Sequence, residues 1–67
     1  MTHFTEEEKL IADMFRSNGR LIAVSKIRAV MAEVDNDELL DLMQSTADKL
    51  LLISEKEYRQ LDESLIT

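Results

Sequence analysis

The sequence predicts an all-α fold: four helices in the order helix, short extended segment, helix, repeated once. Three observations predict it. The chain holds no proline and one glycine, and so few breaks favour helix over a strand-rich fold. Apolar residues recur at helical spacing in four stretches. One pattern also occurs twice, in residues 21–34 and 51–65. A shift of 31 positions sets Leu21 on Leu52, Ile22 on Ile53, Ile27 on Tyr58, Arg28 on Arg59, Val30 on Leu61 and Val34 on Leu65. Further upstream Ile11 falls on Leu42. A period this short marks a duplicated supersecondary unit.

The first helix is expected over residues 5–17. Thr5 can cap it, Glu8 sits at the reciprocal capping-box position, and Glu6, Glu7 and Glu8 suit the positive end of the helix dipole. Leu10, Ile11, Met14 and Phe15 form its apolar stripe. It should stop near Ser17-Asn18-Gly19, where Asn or Gly can adopt the left-handed cap. Arg20 to Ala23 is the first extended candidate. A second helix over 24–34 carries Ile27, Val30, Met31 and Val34 on one face. Asp35-Asn36-Asp37 breaks the pattern, and Asp35 or Asn36 can cap a third helix over 37–46 with Leu39, Leu40, Leu42 and Met43. Residues 45–49 read as a polar connection and 50–53 as the second extended candidate. Ser54 can cap a fourth helix over 55–65, with Glu57 completing a capping box and Tyr58, Leu61 and Leu65 facing inward.

Sixty-seven residues make one domain, 1–67, and a chain of this size buries only about 60% of its unfolded surface, so its stability is marginal. It has no cysteine, which removes disulfides and thiolate metal sites and is compatible with a cytoplasmic location. The longest unbroken apolar run is Leu50–Ile53, far short of the roughly 20 residues of a membrane span. The polar, acidic start is unlike a secretory signal. A chain that ends at Thr67 with no linker-like tail fits a complete protein. The net charge of −6 disfavours nucleic-acid backbone and anionic membrane and suits a basic partner. The same charge is also ordinary for a small soluble domain.

Nothing in the chain assembles into catalytic machinery. His3 is the sole histidine and lies near a terminus. The serines lack an evident base, and no glycine-rich phosphate loop is present. The many carboxylates fall on polar helix faces and loops, where they read as solvated. The sequence therefore predicts a non-enzyme without a cofactor.

The element order and the repeat resemble the EF-hand family, in particular one lobe of calmodulin or of a myosin light chain, which implies a pair of helix-loop-helix units with a short two-stranded antiparallel contact. In that family the eighth loop residue is a branched apolar one that pairs with its twin, the twelfth is an acid, and a large apolar residue follows. Ile53, Glu57 and Tyr58 stand in those places in Ile-Ser-Glu-Lys-Glu-Tyr, and Ile22, Lys26 and Ile27 in Ile-Ala-Val-Ser-Lys-Ile. The opening Phe-Thr-Glu-Glu-Glu also looks like the start of such a lobe. Calcium needs 6–8 oxygen ligands. The first loop would offer Phe15, Ser17, Gly19 and Lys26 at the ligand positions, and the second Thr46, Asp48, Leu50 and Glu57. The resemblance therefore implies a lobe that has lost calcium, with no metal site. Asp35-Asn36-Asp37-Glu38 is metal-like only in composition and reads as a capped helix start.

Calcium-free lobes of this kind grip a basic amphipathic helix of the IQ type, as in the neck of an unconventional myosin heavy chain. The resemblance implies a groove lined by Phe15, Val30, Met31, Leu39, Leu42, Met43, Tyr58 and Leu61. It implies an acidic rim of Glu33, Asp37, Glu38, Asp41, Asp62 and Glu63. Each of these side chains has a plainer reading, as core for the apolar set and as solvated face for the acids. The implied module is cytoplasmic, a monomer when free, and binds neither nucleic acid nor membrane. Two rival readings come from other classes. A helix-turn-helix or winged-helix DNA binder would use the third helix for recognition, but Asp37, Glu38 and Asp41 there repel phosphate. An acidic mimic or inhibitor of a basic protein needs only the net charge.

Overall fold

The computed structural model describes the backbone of residues 3–66 and the side chains of residues 3–60. Four helices follow one another: α1 (Glu6–Met14), α2 (Arg20–Met31), α3 (Asp37–Leu52) and α4 (Glu55–Ile66). No strand is present among the described residues.

The expected caps form at three of the four helix starts. At α1 the Thr5 hydroxyl accepts the Glu8 N–H at 3.2 Å, and the Glu8 carboxylate accepts the Thr5 N–H at 2.8 Å. At α3 the Asn36 side chain accepts the Leu39 N–H at 3.1 Å. At α4 the Ser54 hydroxyl accepts the Glu57 N–H at 3.1 Å, and Glu57 returns the contact to the Ser54 N–H at 3.3 Å. Each cap satisfies N–H groups that a helix start leaves without an internal partner.

Both extended candidates are helical instead. Residues 20–23 form the first turn of α2, with Ala23 buried and in stripe with Val24 and Ile27. Residues 50–52 form the last turn of α3. The polar run 45–49 does not break α3, because its polar groups find partners within the fold. Ser45 donates to the Glu8 carboxylate, the Thr46 hydroxyl donates to the Leu42 carbonyl at 2.7 Å, and Gln44 donates to Asp48 at 2.8 Å. Met43, Thr46, Ala47 and Leu50 are all buried, at i, i+3, i+4 and i+7. The apolar stripe thus continues through a threonine whose donor is satisfied inside its own helix.

The expected left-handed cap at Asn18-Gly19 is absent as well. Gly19 has φ −175° and serves as the N-cap of α2, and no described residue has a positive φ. α1 already ends at Met14, with Phe15 as its C-cap.

α3 is the shared spine and packs against both α2 and α1, while α4 rests on α1. The core comprises Ile11 from α1, Ala23, Val24 and Ile27 from α2, Met43, Ala47 and Leu50 from α3, Ile53 from the turn and Tyr58 from α4. Phe4, Phe15, Met31, Val34 and Leu42 close its edges.

This arrangement corrects the EF-hand expectation. The α1–α2 link is Phe15–Gly19 and the α3–α4 link is Ile53–Ser54, and neither has room for a 12-residue ligand loop. Ile22 lies on α2 and is 50% exposed, whereas Ile53 is 4% exposed in the α3–α4 turn, so the two are not a facing strand pair. Other pairs in the 31-residue register agree only in part, with Ile11 buried and Leu42 half-buried. Leu21 and Leu52 are both exposed, and Ile27 and Tyr58 are both buried.

Candidate functional site

Two polar junctions hold the helices in place. The first joins α1 to α3. Glu8 is buried at 3% exposure, and the Lys49 ammonium donates to its carboxylate at 2.6 Å, beside the contacts from Ser45 and the Thr5 N–H. Burial pushes this carboxyl up. Lys49, Ser45 and the Thr5 N–H outweigh burial and lower it from 4.5 to about 2. The Phe4 ring lies 5.9 Å from the Lys49 ammonium, at the outer limit of a cation–π contact.

The second junction joins α2, α3 and α4. α2 has no side-chain cap of its own and no acid in its first turn. Glu55 from α4 takes that place, accepting the Arg20 N–H at 3.2 and 3.3 Å through its two oxygens. The Arg20 guanidinium lies 3.6 Å from the same carboxylate through Nε and donates through Nη1 to the Leu50 and Leu51 carbonyls at 3.4 and 3.5 Å. Arg20 and Glu55 thus complete the start of α2 and the end of α3 together. Nearby, the Tyr58 hydroxyl accepts the Ser17 N–H at 3.0 Å and fixes the α1–α2 link to α4.

The residues of the implied groove whose side chains are described lie at different depths. Met43 and Tyr58 are buried in the core at 2% and 5% exposure. Phe15, Met31 and Leu42 are half-buried at the core edge, and Val30 and Leu39 are exposed. Among the rim acids, Glu33, Asp37, Glu38 and Asp41 are exposed and gather around the start of α3. The side chains of Leu61, Asp62 and Glu63 lie outside the described residues. Sequence reasoning missed Glu8, Lys49, Arg20 and Glu55. Only Glu8 carried a signal, its capping-box position, and that signal points along its own helix and not at α3.

The exposed surface is segregated. From Arg20 to Met31, α2 contains three basic residues and no acid. Lys26 and Arg28 are exposed there, with Leu21 at 59% and Ile22 at 50%. α3 is the opposite, with Asp37, Glu38, Asp41 and Asp48 exposed along it. No group of three or more His, Cys, Asp or Glu able to hold a metal occurs among the described residues. No helix among them is long and apolar enough to cross a membrane.

Residues 4–63 match the model of a family described as "Putative transposon-transfer assisting protein". No curated protein and no solved structure matches the chain. The match runs from before α1 into α4 and overturns the resemblance to calmodulin and myosin light chains. The IQ-helix and myosin partner falls with it. The exclusion of nucleic acid loses its support as well. Neither the helix-turn-helix reading nor the acidic-mimic reading gains support from the match. The chain belongs to the transposon-transfer assisting family.

Proposed function

We propose, with that membership as premise, that the chain is a non-enzymatic accessory of transposon transfer. It acts as a single folded unit in the cytoplasm and presents a helical surface to other components of the transfer process. The observation that carries this reading is the family match over residues 4–63, which spans nearly all of the helical framework. The polar chemistry supports a non-catalytic role. Glu8, the buried carboxylate, is engaged by Thr5, Ser45 and Lys49. His3 is exposed at the N-terminal end.

The test is genetic. In donor cells carrying the parent transposon, deletion of this coding sequence should lower the frequency of transfer. Wild-type protein supplied in trans should restore it, and His3→Ala should restore it equally well. Transfer unchanged by the deletion would sink the proposal. Complementation that depends on His3 would remove its non-enzymatic part.

A further inference from the structure

We propose that Asn18 is a self-modifying site: the Gly19 nitrogen attacks the Asn18 side-chain amide and converts the residue, through a succinimide, to aspartate and isoaspartate.

The α1–α2 link is held on either side of its Asn18–Gly19 peptide. Before it, the Ser17 N–H donates to the Tyr58 hydroxyl at 3.0 Å, and the Ser17 hydroxyl donates to the Phe15 carbonyl at 3.0 Å. After it, the Gly19 carbonyl accepts the Ala23 N–H at 3.2 Å, and Glu55 accepts the Arg20 N–H. The peptide between has no such hold. Among the described residues, neither the Gly19 N–H nor the Asn18 side chain makes a hydrogen bond. Asn18 is exposed, so water and hydroxide reach it. Gly19 carries no side chain to screen its nitrogen or to crowd a ring.

Those are the conditions for ring closure. The Gly19 nitrogen, having given its proton to hydroxide, bonds to Cγ of Asn18. The Cγ–Nδ2 bond breaks, and the departing nitrogen takes a proton from water to leave as ammonia. A second water then opens the ring. Cleavage at Cγ leaves aspartate at position 18. Cleavage at the backbone carbonyl leaves isoaspartate, whose main chain runs through Cγ and is one carbon longer. Asn36, the other asparagine of the chain, lacks these conditions. Its side chain caps α3 by accepting the Leu39 N–H at 3.1 Å, and the residue after it is Asp37, not glycine.

The two products act differently on the fold. An aspartate at 18 brings a carboxylate one residue before the N-cap of α2, a helix start with neither a side-chain cap nor an acid in its first turn. Negative charge is favourable there. Isoaspartate instead lengthens the link between two anchored points, Ser17 on Tyr58 and Arg20 on Glu55, and so loosens the start of α2. None of this rests on the role in transfer.

The test keeps the full chain for days at physiological temperature in mildly alkaline buffer and maps its peptides by mass spectrometry. The peptide holding Asn18 should gain about 1 Da and separate into aspartate and isoaspartate forms. The peptide holding Asn36 should stay unchanged. Gly19→Ala should slow the conversion by about tenfold or more. That variant should keep the fold, because Gly19 has φ −175°, open to any residue, and an added Cβ would meet nothing closer than Glu55 Oε2 at 3.6 Å. Circular dichroism checks this. The free peptide Ser17–Arg20, treated alike, gives the rate without the fold. Asn18 that stays intact overturns the inference, as does conversion at Asn36 that keeps pace with it or a folded Gly19→Ala variant that converts as fast as the wild type. A folded chain that converts far more slowly than the free peptide would overturn it too, by showing that the fold withholds the nitrogen. Hydrogen exchange on the purified isoaspartate form should quicken at Arg20 and the residues just after it, and unchanged exchange would overturn the effect on α2.

Discussion

The Lys49 ammonium sits 2.6 Å from the carboxylate of Glu8, across 41 positions of sequence. Glu8 closes its own helix start through the Thr5 N–H and grips α3 through Lys49 and Ser45, so one side chain fixes both the start of α1 and its seat on the spine. A buried carboxylate is tolerable only with such partners.

Acid should therefore loosen the fold through Glu8. Its carboxyl is lowered from 4.5 to about 2, so the folded state binds this proton less readily than the unfolded state. The stabilisation is fully present above pH 4.5 and is lost as pH falls toward 2. Its size is at most about 3 kcal/mol. Urea unfolding at a series of pH values should show the wild type losing that amount in this window relative to Glu8→Gln. Parallel curves for the two proteins would contradict the assignment.

Removing Lys49 while keeping Glu8 should be worse than removing both charges. Lys49→Met leaves a buried carboxylate without its cation and should cost about 3 kcal/mol or more. Glu8→Gln combined with Lys49→Met should recover part of that loss. A double-mutant cycle by urea unfolding at neutral pH measures the coupling.

Tyr58 divides cleanly into a ring and a hydroxyl. Tyr58→Phe removes the acceptor for the Ser17 N–H and should cost about 1 kcal/mol, a drop in Tm of roughly 4–8 °C for a domain of this size. Tyr58→Ala also empties a site that is 5% exposed and should cost about 3 to 5 kcal/mol. Calorimetric melting separates the two.

At Thr46 a polar residue should be replaceable. Its hydroxyl donates only to the Leu42 carbonyl of the same helix, which the helix ladder can satisfy without it. Thr46→Val should change stability by less than about 1 kcal/mol, although the position is fully buried. Thr46→Ala should cost more, because the lost methyl leaves a void.

Glu55→Ala should open the start of α2 locally. The substitution removes the acceptor of the Arg20 N–H and should cost about 0.5–1 kcal/mol. Hydrogen exchange should quicken at Arg20 and the residues just after it, with little change in the middle of α3. Uniform quickening along the chain would mean that Glu55 supports the whole fold instead.

Helix number and three of the four helix starts were legible because their signals are local. Thr5 with Glu8, Asn36, and Ser54 with Glu57 each act within one turn. The strand readings failed at 20–23 and 50–53, where short apolar runs suit either helix or strand and only packing decides between them. The break placed at 45–49 failed because Ser45 and Lys49 are answered by Glu8, a partner 37 and 41 positions away that no periodicity reveals. The implied groove residues separate by depth for a related reason. Helical spacing says which residues share a face, but not whether that face ends in the core, as for Met43, or in water, as for Leu39.

The completion of α2 by Glu55 has a consequence for the newborn chain. The ribosome delivers α2 well before the carboxylate that finishes it, since the two partners are 35 positions apart. At synthesis rates of about 5–20 residues per second, the first turn of α2 is made roughly 2 to 7 seconds before the carboxylate that caps it. α1 waits longer still for Lys49. A pause in translation before codon 55 would hold the chain with the α2 junction still lacking its carboxylate, so synonymous changes there should alter yield while leaving the finished protein untouched.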